Sequence, residues 1–314
     1  MKLAYLTAGL SSASGTEGAK AVEEAAASVG WEVSVFDGKF SPDRYQEGMR
    51  RAISWGADAV LMNGIDCAGN EAPLQALRDA GIKVVAIAAV DCDEGGGTGE
   101  GLFEAPAYPG AATPHDYFEK LGAIQADWII AQSSGQAKVI EFPVPDFLIT
   151  RATQEGFERQ LATCAGCEIV DTVAIGINDF GPGVQDKAEQ ALLQNPDADY
   201  ISANYDELMS FGIAAAVMGS GRNDAIGVIA GNGYPYNMNL IRNNQGQDAG
   251  YAYDFEWDHY AGFDTVNRIL QAQRPGEVGP PVVLFDKENN LPAEGSGYVS
   301  GADFRSVFAE SWGK

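Results

Sequence analysis

The sequence is short of positive charge, of histidine and of long apolar runs, and each shortage excludes something. Lys and Arg number 20 against 44 Asp and Glu, a formal net charge of -24 over 314 residues. That balance repels nucleic-acid phosphates and anionic membrane surfaces, so no nucleic-acid or membrane-surface partner is expected. The two histidines, His115 and His259, both fall in stretches that read as helix and are expected at the surface. A histidine-based metal site or catalytic triad therefore has little to draw on. No apolar run is long enough to cross a bilayer. The opening "MKLAYLTAGL" reads as a strand and not as a signal peptide. Two expectations follow: a cytoplasmic protein, or one whose leader is absent from this sequence.

What is present is ample apolar material, 46% of the chain, enough for more than one domain. Four cysteines accompany it. Cys67 and Cys92 follow the predicted strands "AVLMN" and "KVVAIAAV", and consecutive parallel strands would bring them close enough to bond. Cys164 and Cys167 form "CAGC" after a helix. A redox pair sits instead at a strand-to-helix turn, so a structural bridge is the better reading. Zinc needs four converging ligands and the two pairs lie in different halves, so no metal and no cofactor is expected. Two disulfides point towards an oxidising compartment.

The periodicity alternates. Strands are expected at 3–6, 32–36, 57–62 and 83–90, separated by helices at 18–29, 42–55 and 72–80. Continuous apolar strands between helices mean a parallel sheet covered on both faces. "DEGGGTGEGLFEAPAYPG" interrupts the rhythm. It then restarts with helices at 115–132, 152–161, 184–194 and 207–217, and with strands at 138–142, 168–175, 200–203 and 225–229. A helix at 254–273 follows, and "GPPVVLFD" reads as a strand or crossover. Two similar α/β halves result.

In open parallel sheets, ligands bind beyond the carboxyl ends of the strands. The loops there, such as "TAGLSSASG", "FPVPDFLITR", "GINDFGPG", "ANYDE" and "AGNGYPYN", are rich in Asn, Asp, Ser, Tyr and Phe. They suit a polar, uncharged or weakly acidic small molecule. Arg151 is their single cation, in the first turn of a helix where its charge opposes the macrodipole. Enzyme signals fail. "GLSSA" lacks the last Gly of a nucleophile elbow. "GTGEGL" and "GNGYPY" lack the third Gly and the Lys of phosphate loops. The acids of "DFEWDHY" read as a solvated helix start.

The segments "GWEVSVFDGKFSPDRYQEGMRRAISWGADAVLMNGID", "ALRDAGIKVVAI", "RATQEGFERQL" and "ANYDELMSFGIAAA" together resemble the type I periplasmic sugar-binding proteins of ABC transporters, the ribose- and galactose-binding group. The resemblance covers nearly the whole chain. It implies two doubly wound parallel-sheet lobes joined by a three-crossing hinge, with a ligand cleft between them that closes on ligand. The expected lobes are 1–109 plus 255–280, and 110–254 plus 281–314. It implies a non-catalytic receptor for a sugar or polyol, a monomer partnered by a membrane permease, periplasmic or anchored at the cell surface. Arg151, ahead of Gly156 and Phe157, stands where the family has a ligand-donating arginine. Less direct matches are Asn204 and Tyr205, Asn232, Tyr253 and Asp254, and Asn178 and Phe180. In the first lobe, Ser11 and Ser12 replace an asparagine–aromatic pattern. Ala88 and Ala89 stand where a ribose binder has an aspartate–arginine pair, with Asp91 slightly later, so a ribose pocket is not expected. The alternatives are the effector domain of a LacI-type transcriptional regulator and, behind it, an α/β hydrolase.

Overall fold

The computed structural model describes residues 1–106 and 108–313. Its elements run β1 (Lys2–Thr7), α1 (Ala13–Val29), β2 (Glu32–Asp37), α2 (Pro42–Trp55), β3 (Ala59–Asn63), α3 (Glu71–Asp79) and β4 (Lys83–Ile87). Then come α4 (Pro114–Gln132), β5 (Ala137–Phe142), α5 (Leu148–Leu161), β6 (Cys167–Thr172), α6 (Pro182–Gln194) and β7 (Tyr200–Ala203). The chain ends with α7 (Ala214–Gly219), β8 (Gly227–Asn232), α8 (Pro235–Arg242), β9 (Ala249–Ala252), α9 (Phe255–Leu270), β10 (Val283–Asp286) and α10 (Phe304–Ser311). Local chemistry sets many of these limits. Ser12 caps α1 by accepting from the Gly15 N–H, and Gly30 ends it in the left-handed region at φ 75°, a conformation glycine adopts without strain. Pro42 opens α2, where its missing N–H costs nothing.

Two compact units divide the chain. The first is Met1–Tyr117, Asp254–Pro281 and Gly301–Lys314; the second is Phe118–Tyr253 and Val282–Ser300. The first holds a parallel sheet in the order β2-β1-β3-β4. Alternate residues of β1 bury into opposite faces: Leu3 and Tyr5 meet Val22 of α1, Phe263 of α9 and Phe308 of α10. Ala4 and Leu6 meet Met49 of α2 and Leu74 of α3. The second holds the order β10-β9-β8-β7-β5-β6, parallel except that β10 runs antiparallel to β9. Here Val139 faces Ile129 of α4 and Phe157 of α5, while Ile140 faces Val184 of α6 and Val217 of α7.

Helices α4 and α5 touch backbone to backbone. A Cβ at Gly122 would lie 1.8 Å from the Thr153 carbonyl oxygen, and one at Gly156 would lie 1.9 Å from that of Glu119. The "GF" pair thus includes a contact that only glycine allows.

Several expectations change. The helix expected over 207–217 is interrupted by a π-helical turn, Met209–Ile213, in which Gly212 has φ 145°. At Gly212 a Cβ would collide with the backbone of Gln185, so close packing against α6 overrides helical periodicity. Residues 301–314 belong to the first unit and not the second, because Phe304, Phe308 and Trp312 ring Tyr260 of α9. The chain therefore passes between units at four places, one more than the three crossings expected. His259 is no surface residue; it is 1% exposed. Its Nε2 pairs with the Tyr5 hydroxyl at 3.0 Å and its Nδ1 with the Phe255 carbonyl at 2.7 Å. Burial lowers its pKa to about 4, so it is a neutral core group at ordinary pH. Nor is "DFEWDHY" a solvated helix start. Asp254 caps α9 through the Trp257 N–H, and Asp258 is buried against the Tyr108 hydroxyl at 2.9 Å.

Candidate functional site

Strand order fixes where each sheet presents its loops. In the second unit β5 lies between β6 and β7, so the chain switches direction there. The loops after β5 and β7 diverge, leaving the crevice that α/β sheets use for ligands. After β5, Thr150 Oγ1 donates to the Phe147 carbonyl at 2.7 Å. The Arg151 Nε donates to the Pro145 carbonyl at 2.6 Å, which fixes the guanidinium over the 143–147 loop. Arg151 is exposed, and among the described residues neither of its Nη atoms has a hydrogen-bond or ion-pair partner. In particular it makes no ion pair with Glu155 or Glu158. The fold uses one of its five donors.

After β7, Asn204 turns out to serve the fold. Its Oδ1 accepts from the Val144 N–H at 3.4 Å and its Nδ2 donates to the Thr150 carbonyl at 3.2 Å, tying the two loops together. Tyr205 is half-buried against the core. Its hydroxyl makes no hydrogen bond among the described residues, and burial, then Glu207 and Asp146, raise its pKa.

The next two residues were not foreseen as site residues. Asp206 is completely buried and accepts from the N–H groups of Gly233 and Tyr234 at 2.7 and 3.1 Å and from Gln247 Nε2 at 3.2 Å. Burial raises its pKa well above the usual carboxylate range against those bonds. Glu207 is pushed up to about 7 by burial, opposed by bonds from its own N–H and the Tyr234 hydroxyl. Its Oε2 is sealed from solvent without a partner.

The Asp206 network holds the end of β8, where Asn232 sits. This residue has φ 104°, a value L-residues rarely adopt, and its Oδ1 is buried and unpartnered. The Asp206 N–H donates to the Gly231 carbonyl at 2.7 Å on one side, and the Asp206 carboxylate grips Gly233 on the other. Strain of this kind persists only where the surroundings over-determine it, and it concentrates at functional sites. Asn178 is exposed on the 3-10 turn Ile177–Asp179. Phe180 leans on Phe211, ring centroids 5.1 Å apart, and packs on the core. Tyr253 and Asp254 are both buried, at the point where the chain leaves the second unit for the first.

In the first unit the direction switches between β1 and β3. Ser12 is committed to capping, donating to the Gly9 carbonyl at 2.9 Å as well, while Ser11 is exposed. Asp91 is committed too: its carboxylate takes the N–H groups of Cys92, Leu102 and Phe103 at 2.7–3.2 Å, pinning the glycine-rich segment. An aromatic not foreseen from the sequence is Phe40, in the turn between β2 and α2, whose ring lies where a Cβ of Gly9 would be. Both expected disulfides are formed: Cys67–Cys92 joins the loops after β3 and β4, and Cys164–Cys167 closes the turn after α5.

The chain matches the family model of the periplasmic binding protein domain over residues 9–274, and it belongs to that family. No curated protein matches it. Among solved structures it is similar to an ABC transporter solute-binding protein from Bacillus halodurans with bound myo-inositol, at TM-score 0.76 and 16% identity, over 92% of this chain and 95% of that one. One from Agrobacterium vitis, bound with alpha-D-tagatopyranose, gives 0.77 and 20%, over 92% and 95%. The Caulobacter myo-inositol binding protein gives 0.77 and 19%, over 92% and 94%. At these identities the likeness shows a shared fold.

Proposed function

We propose that the protein is a receptor outside the cytoplasmic membrane, binding a sugar, polyol or related small polar molecule without converting it, and delivering it to the permease of an ABC importer. Family membership and the sugar- and polyol-bound relatives support the class, and two disulfides suit an oxidising compartment. The observation that carries the reading is Asn232: a strained backbone and an orphaned buried amide oxygen cost stability unless a ligand hydroxyl donates to that oxygen. Arg151 supplies donors and Glu207 a further acceptor at neighbouring strand ends of the same sheet. Ser12, Asp91 and Asn204 hold loops in shape and act on the ligand only through them. Selectivity then comes from polar groups that a wrong ligand leaves unpaired. The test is a thermal-shift screen over myo-inositol, D-tagatose, D-allose and other sugars, polyols and sugar acids, followed by calorimetry. A true ligand raises the melting temperature by mass action and is recovered chemically unchanged. A panel-wide absence of shift, or turnover of the bound compound, overturns the proposal.

A further inference from the structure

Residues 231–233 at the end of β8 read Gly-Asn-Gly. A Cβ at Gly231 would lie 2.1 Å from the Tyr251 ring, and one at Gly233, where φ is 84°, would lie 2.6 Å from the Ala252 Cβ. Both flanking positions therefore require glycine. Asn232 between them keeps a side chain at φ 104°, where the backbone favours glycine as well. A corner of this kind relaxes unless its surroundings hold it.

Three polar side chains do the holding. Asp206, Asn237 and Gln247 are 0%, 1% and 1% exposed, too deep to touch a ligand. Gln247 Nε2 donates one hydrogen to Asp206 Oδ1 and the other to the Ala249 carbonyl, each at 3.2 Å. Its Oε1 accepts from Asn237 Nδ2 at 2.7 Å, and Asn237 Nδ2 gives its other hydrogen to the Asp206 carbonyl at 3.1 Å. All four hydrogens of the two amides are used, and the three residues form a closed ring. Asp206 Oδ2 is thereby left for the N–H groups of Gly233 and Tyr234 at 2.7 and 3.1 Å, while the Asp206 N–H holds the Gly231 carbonyl at 2.7 Å. The ring joins the loop after β7, helix α8 and the approach to β9, and it grips the chain on both sides of Asn232. Apolar side chains of like volume would fill the same space without the desolvation cost. They could not hold the two N–H groups that follow Asn232.

We propose that Asn237 and Gln247 are positioning residues for ligand recognition. Through Asp206 they keep Asn232 in the strained conformation that offers its Oδ1 to a ligand hydroxyl, and so set affinity without contacting the ligand. This role rests on the assignment of Asn232 to a sugar or polyol site; the grip on the corner does not.

Two measurements on the whole protein test it. Without ligand, amide hydrogen exchange is followed by NMR at Gly233 and Tyr234, relative to Ile229 within β8, so that a general loss of stability cancels. Gln247→Met keeps the length of the side chain but donates nothing, and speeds exchange at both amides about tenfold over that reference. Gln247→Glu sets two carboxyl groups against each other and does the same. Adding Asp206→Asn to it exchanges donor and acceptor, restores the bond and brings exchange back towards the parent. Calorimetry with myo-inositol, D-tagatose, D-allose and the rest of the panel then reads affinity. Gln247→Met weakens the compound that binds the parent about tenfold, but changes affinity no further once Asn232→Gly is present. The proposal fails if Gly233 and Tyr234 exchange as in the parent, if affinity is unchanged, or if the loss persists undiminished with Asn232→Gly. Binding by no panel compound to the parent overturns the receptor reading itself, and the affinity role with it.

Discussion

Replacing Asn232 by Gly should stabilise the unliganded protein and weaken the liganded one. At φ 104° a side chain clashes with its own backbone, and holding a non-glycine residue in such a region costs about 1–3 kcal/mol. The unpartnered Oδ1 adds a desolvation penalty of about 1–3 kcal/mol. Glycine removes both, and loses about 0.5–1 kcal/mol through the greater freedom of its unfolded chain. The three do not add strictly, and the net gain expected is about 1–3 kcal/mol. For a unit of this size that is a rise of roughly 2–12 °C in the second unit's melting temperature, read by scanning calorimetry without ligand. Affinity for the sugar or polyol returned by the screen should fall at least about tenfold, since a ligand hydroxyl loses its buried acceptor. Both signs matter. A destabilised Asn232→Gly protein would mean that Oδ1 is satisfied within the fold, and an unchanged affinity would mean that it does not face ligand. Either result refutes the reasoning that makes Asn232 the centre of the site.

Arg151→Ala should leave the unliganded melting temperature nearly unchanged, because the side chain is exposed and makes one bond to the fold. Calorimetric affinity should fall by roughly 2–5 kcal/mol as a charge-assisted donor is lost; near-normal affinity, or an unfolded variant, assigns it to the fold. Gly156→Ala should melt lower despite alanine's better helix propensity of about 1 kcal/mol. Its Cβ would meet the Glu119 oxygen at 1.9 Å, so α4 and α5 must part by more than an ångström, and overpacking costs about 1–3 kcal/mol or more. Reduction of Cys67–Cys92, separated by 25 residues, should cost the first unit about 3–4 kcal/mol on the loop-entropy account, and thiol counting before reduction should find essentially none free. Burial pushes the Asp258 carboxyl up to about 7, above its unfolded value of about 4, so its contribution is complete below about pH 4 and lost as pH rises through 7. Asp258→Asn keeps an acceptor for Tyr108 but does not titrate. The variant should therefore gain melting temperature relative to the parent between pH 4 and pH 8. His259, lowered to about 4, works in the opposite direction but equally in both proteins, and a constant difference would refute the assignment.

The parts that could be read from the sequence were those that local physics dictates. Continuous runs such as Ala59–Asn63, buried at every position, can only be strands covered on both faces, and the alternation with helices then forces a parallel sheet. The same rule located the carboxyl-end loops, and with them Arg151 and Asn232. What resisted reading was the partnership of polar side chains, which depends on direction and not on spacing. Ser12, Asp91 and Asn204 belong to the right loops, yet their oxygens and nitrogens turn inward to cap a helix, pin a glycine-rich segment and tie two loops together. Glu207, the last residue of the quoted "ANYDE", read as the start of an ordinary helix over 207–217, because the π-helical turn that follows it is set by how closely Gly212 approaches Gln185. His259 and Asp258 misled for a related reason. A polar residue on an amphipathic helix reads as solvated, and only the fold reveals that Tyr5 and Tyr108 reach across to hold them. For Asp258 and His259 the partner is far away in sequence, by 150 and 254 residues. The surest candidates for function in this chain are accordingly the polar atoms that still lack a partner once the fold is complete, and Asn232 Oδ1 is one of them.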